Sequence, residues 1–170
     1  MADLPTTPPD PVVQRKNSAQ FVGFQLGGQE YAFPIEQIRE IVIIDNVTQV
    51  PQVPDFVEGV TNLRGAIIPI INLRRLLDLP PKAADAETRT IVVNVRDRTM
   101  GCTVDMVSQV IRILDSEIQD APATITADGA DYISGFAKQD ERLLVLLDIE
   151  RLLDPEKIQT LTSSTPPASP

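Results

Sequence analysis

The sequence predicts a mainly β protein, two packed five-stranded antiparallel barrels with short helices between strands. Three observations carry this reading. Apolar and polar residues alternate with period two over much of the chain, β-branched runs recur between turn residues, and the two halves of the chain repeat one another.

Val22, Phe24 and Leu26 alternate with Gly23 and Gln25, Gly27-Gly28 marks a turn, and Tyr31, Phe33 and Ile35 alternate again, which together read as a hairpin. Further strands are expected at EIVII, GVTNL, AIIPII, TIVVNV, GCTVD, VIRIL, YISGFA and LLVLLDI, giving about ten in all. Helical turns fit at VPDFVEG, opened by Pro54 and ended by Gly59, and at NLRRLLD and DIERLLD, where Asn72 and Asp148 are N-cap residues.

The last two segments expose the repeat. IINLRRLLD (Ile70 to Asp78) matches LLDIERLLD (Leu146 to Asp154), and YAFPIEQIREIV from Tyr31 matches MGCTVDMVSQVI from Met100. Ile38 then aligns with Val107 and Ile41 with Val110, and laying NLRG over YISG sets Arg64 against Ser134 and Gly65 against Gly135. A five-stranded unit of this size removes its exposed edges by closing into a barrel. The expected organisation is a tail over 1–18, a folded domain over 19–160 with barrels at about 19–79 and 89–155 around the Pro- and Ala-rich LPPKAADAET, and a second tail over 161–170. Both tails are expected to be disordered, and strand exchange between the barrels is left open.

Composition limits function. A net charge of −9 repels a phosphate backbone, which argues against nucleic-acid binding. No apolar run reaches the roughly 20 residues a bilayer requires, and no basic-then-apolar leader opens the sequence, so a cytoplasmic protein is expected. The single Cys102 permits no internal disulfide. With no His in the chain, Ser-His-Asp and Cys-His catalysis and His-containing zinc sites are excluded. No enzyme activity, cofactor or metal is expected.

Arg64 has two readings, a solvated residue at a hairpin corner or an anchor whose guanidinium fork binds a partner. Cys102, aligned with Phe33, reads as a small core residue, and the acidic groups of DSEIQD and ADGAD read as solvated. Ile38, Ile41, Val107 and Val110 read as core, with some of them available to line a groove between the barrels.

The blocks FVGFQLGGQEYAFPIEQIREIV, VPQVPDFVEGVTNLRGAIIPIINLRRLL, VDMVSQVIRI and YISGFA…RLLVLLDIERLL resemble the CheW family of chemotaxis coupling proteins over about 20–158. The resemblance implies barrels like Src-homology-3 domains and a non-catalytic adaptor joining chemoreceptors to the histidine kinase CheA at receptor arrays on the inner face of the membrane. It implies receptor contacts at Ile38, Gly59, Asn62, Arg64, Val107 and Val110, and kinase contacts at Glu40, Ile41 and Val47. An adaptor of a twitching or gliding pathway, or a small-ligand-binding barrel, are the alternative expectations.

Overall fold

The computed structural model describes residues 17–126 and 130–154. Most of the expected front tail, all of the expected end tail and part of ADGAD lie outside those residues; Ser18 already opens a strand. The described residues form eleven strands: β1 (Ser18–Leu26), β2 (Gln29–Pro34), β3 (Ile38–Val42), β4 (Val57–Leu63), β5 (Ala66–Asn72), β6 (Arg89–Val95), β7 (Arg98–Val104), β8 (Met106–Leu114), β9 (Ile118–Gln119), β10 (Ile133–Gln139) and β11 (Arg142–Leu147). All the expected strands are present, and the two-residue β9 is additional.

The strands form a six-stranded sheet in the order β8-β1-β2-β11-β10-β9 and a five-stranded sheet in the order β3-β6-β7-β5-β4. Each sheet therefore takes a hairpin from the other half of the sequence, so the spans 19–79 and 89–155 do not each supply their own sheet. This is the strand exchange that the sequence leaves open, and two other features correct the expected closed antiparallel barrels. Each sheet contains one parallel pair, β2 with β11 and β5 with β7, and neither ladder closes. In the five-stranded sheet the edge strand β4 takes one isolated bridge from the segment that follows β3, Thr48 N–H to Val60 O at 2.8 Å and Val60 N–H to Thr48 O at 2.9 Å.

Burial explains the exchange. In β6 four consecutive residues, Thr90 to Val93, are buried, so both faces need cover. One face meets a central core shared by the two sheets, which holds Phe24, Leu26 and Phe33 from the first hairpin and Ile91, Val93, Val95, Met100 and Cys102 from the second. The other faces fill two smaller cores, Phe21, Ala32, Ile111, Ile113, Ala137, Leu144 and Leu146 in one sheet, and Ile68, Ile70 and Val92 in the other.

Turns follow from sequence at several points. Gly27-Gly28 and Arg96-Asp97 both place two residues at positive φ, the type I′ signature. Asn72 Oδ1 accepts from Arg75 N–H, and Asp148 Oδ1 from Glu150 and Arg151 N–H, capping the helical turns Leu73–Leu76 and Ile149–Leu152 as expected. The VPDFVEG segment instead makes a single turn, Val57 N–H to Pro54 O, and passes straight into β4.

Gly59 thus lies inside a strand, at a bulge where φ is +149°. A Cβ there would stand 2.1 Å from the Thr48 carbonyl oxygen, so the bridge requires glycine. Gly135 occupies the matching bulge of β10, where a Cβ would meet the Gln119 carbonyl oxygen at 2.8 Å. This match corrects the alignment of NLRG on YISG. Gly135 corresponds to Gly59, and the tip residue Arg64, φ 53°, corresponds to Asp140, φ 58°.

Gly59→Ala is expected to cost about 3 kcal/mol or more through clash and strain. Gly65→Ala, at φ +90° with nothing within 4 Å of its Cβ, should cost about 1–2 kcal/mol. Urea unfolding of the two variants checks this, and equal losses would remove the steric account of Gly59.

Candidate partner-binding site

Arg64 stands at the tip of the β4–β5 hairpin in the left-handed region, a conformation in which a long side chain is uncommon. Asn62 builds the tip by accepting Gly65 N–H on Oδ1 at 2.8 Å. The Arg64 guanidinium forks onto Glu40 of β3, Nη1 to Oε2 and Nη2 to Oε1, the second at 2.7 Å. The ion pair therefore joins the two edges of the five-stranded sheet. It faces water, with 70% of the Arg64 side chain exposed and 24% of Glu40. The Arg64 hydrogen bond, aided by its charge, holds the Glu40 carboxyl below its ordinary range.

The expected site residues separate into groups. Asn62, Arg64 and Glu40 come together at one end of the five-stranded sheet. Ile38 and Val107, equivalent in the repeat, are both half-buried against the shared core. Ile41 and Val110, also equivalent, are 39% and 56% exposed. Those two correct the core expectation: on β3 it is Val42 that packs inward, and Ile41 alternates outward. Gly59 is buried and acts on the backbone. Val47 is held by its neighbours, Asn46 O accepting Thr61 Oγ1–H at 2.7 Å and Thr48 bridging to β4. It lines a groove of about 470 Å³ with Val50, Val53, Asp55, Glu58 and Arg75.

Sequence reasoning missed Ile43 and Ile67, 62% and 65% exposed, which stand close in sequence to Glu40 and Arg64. The available signal was strand alternation, which sets Ile43 on the outer side with Ile41. It also missed Arg74 and Asp105, the most enclosed ion pair among the described residues, with 13% and 16% of their side chains exposed. Arg74 Nε and Nη2 donate to Asp105 Oδ1 and Oδ2, both at 2.7 Å, and Gly27 N–H donates to Oδ2 at 3.0 Å. Cys102 is fully buried, which pushes its thiol far up and fits the core reading. Among the described residues no three His, Cys, Asp or Glu side chains could hold one metal ion, and no helix is long and apolar enough to cross a membrane.

A β module whose described residues offer no metal cluster, and which exposes Ile41, Ile43 and Ile67 in the segments that carry the Arg64–Glu40 pair, has the surface composition of a protein-binding module. Comparison with known proteins gives the particular kind. The CheW-like domain matches residues 20–157, and the chain belongs to the CheW family. It is 40% identical to the chemotaxis protein CheW of Klebsiella aerogenes, over 82% of this chain and 84% of that one. The Bacillus subtilis chemotaxis protein CheW is 37% identical, over 85% and 93%. The crystal structure of the scaffolding protein CheW from Thermoanaerobacter tengcongensis superposes with a TM-score of 0.74 at 31% identity, over 80% of this chain and 92% of that one. The protein is a chemotaxis coupling scaffold.

The Arg74 hydrogen bond, followed by the one from Gly27 N–H, holds the folded Asp105 carboxyl below its unfolded value of about 4. The unfolded chain therefore binds the proton more readily, so the stabilisation is present above about pH 4 and is lost as pH falls through the lower folded value. Asp105→Asn should be less stable than the parent near neutrality and should show a flatter acid-side decline. Urea midpoints measured from about pH 6 to pH 2 check the slope.

Proposed function

We propose that this scaffold holds the cytoplasmic tip of a methyl-accepting chemoreceptor and the regulatory domain of the histidine kinase CheA in one complex, without turnover of either, at arrays on the inner face of the membrane. Family membership supports the coupling role, and the chemotaxis names of the relatives favour it over twitching, gliding or a small-ligand barrel.

The observation that carries the division of surfaces is the Arg64–Glu40 pair. Receptor contacts are assigned to Ile38, Asn62, Arg64, Val107 and Val110, with Gly59 acting through the backbone that shapes them. Kinase contacts are assigned to Glu40, Ile41 and Val47. The two sets meet at the ion pair, so Arg64 reaches an acidic or carbonyl group of a helical partner only by leaving Glu40 or by sharing its remaining N–H donors. The exposed Ile41 gives the kinase side an apolar contact on the outer face of β3.

Mixing the protein with a receptor tip fragment and the kinase regulatory domain should give a ternary complex on size-exclusion chromatography; two mutually exclusive binary complexes would defeat the proposal. Arg64→Ala should fold normally and bind the receptor fragment roughly thirty-fold more weakly. Glu40→Arg should impair kinase binding more than receptor binding, and equal losses by calorimetry would show that the surfaces are not divided this way.

A further inference from the structure

Asp105 lies between the last residue of β7, Val104, and the first of β8, Met106. It is thus the corner where the chain leaves the five-stranded sheet and enters the six-stranded one. Both its backbone and its carboxylate are anchored there. Its N–H donates to Gln25 O at 3.1 Å and its Oδ2 accepts Gly27 N–H, so it grips the first hairpin, which belongs to the six-stranded sheet. Arg74, which follows β5 of the five-stranded sheet, binds both carboxylate oxygens and donates its third nitrogen to Pro80 O. One ion pair thereby ties together both sheets and the segment between the halves.

The repeat makes this lock one-sided. At the mate corner, between β2 and β3, the residue equivalent to Asp105 is Glu36, and the residue equivalent to Arg74 is Glu150. Two acids cannot form the pair. Ile38 follows the corner without such a lock, whereas Val107 follows the corner that has one.

We infer that Arg74 is a positioning residue: its fork on Asp105 fixes the β7–β8 corner and so sets where Val107 and β8 stand against the seam between the sheets. This rests on the assignment of Val107 and Val110 to the receptor. Arg is needed because three nitrogens bind in three fixed directions, whereas an ammonium keeps the charge and loses the fork.

Arg74→Lys in the full chain tests this, with Asp105→Asn as a second variant should the first not fold. Receptor-fragment affinity should fall about tenfold while affinity for the kinase regulatory domain stays within about twofold, and Gly27 N–H should exchange faster with solvent. Receptor affinity unchanged within about twofold, or receptor and kinase affinities falling together, would overturn the inference. If the parent protein does not bind the receptor fragment, the receptor assignment falls instead. Gly27 exchange then decides alone: faster exchange in the variant supports a corner held by Arg74, and unchanged exchange overturns it.

Discussion

The packing of two hairpins that each need cover on both faces governs this structure. Phe24 and Phe33, with ring centroids 4.8 Å apart, meet Ile91, Val93 and Met100 in a core that neither half of the sequence completes alone. Side chains on the opposite faces of the same hairpins fill the two smaller cores. Burying both faces of a strand removes apolar surface from water twice over, and the exchange of hairpins supplies the second layer. The exposed groups of the sheet ends stand on strands anchored in these cores.

Two arginines on that frame have opposite circumstances. Arg64 is water-exposed, sits in an uncommon backbone conformation and forks onto a glutamate across the open edges of a sheet. Arg74 is enclosed and binds a carboxylate that also takes a backbone N–H. Solvent screens the first and leaves it exchangeable, which suits a surface group that meets partners. Desolvation makes the second costly to break and unsuited to direct contact with a partner. The same side-chain chemistry thus stands open to water in one place and closed off from it in another.

Much of this was legible in the sequence because it is local. Period-two alternation gave the strands, Gly27-Gly28 gave the hairpin, and Asn72 and Asp148 gave the caps. The repeat gave equivalences but not partners: knowing that β1 resembles β6 does not say that β1 pairs with β8. Matching letters also misled. NLRG laid over YISG sets Gly65 against Gly135 because each ends a similar four-residue string, yet it is Gly59 that shares the bulge and the close carbonyl approach. Glu40 as the partner of Arg64 had no local sign, since 24 residues separate them and the contact depends on the curl of the sheet. The outward-facing Ile41 and Ile43 were hidden for another reason, that an apolar residue in a strand reads as interior unless the face is known.

The traded hairpins carry a consequence for origins. A single unit of this kind leaves its own hairpin without neighbours, and two identical units would satisfy one another by swapping arms as a homodimer. Tandem fusion of such a gene makes that encounter intramolecular, replacing dilute collision with an effective concentration of order millimolar. Joined copies do not have to match, and the two equivalent tips here carry Arg64 and Asp140.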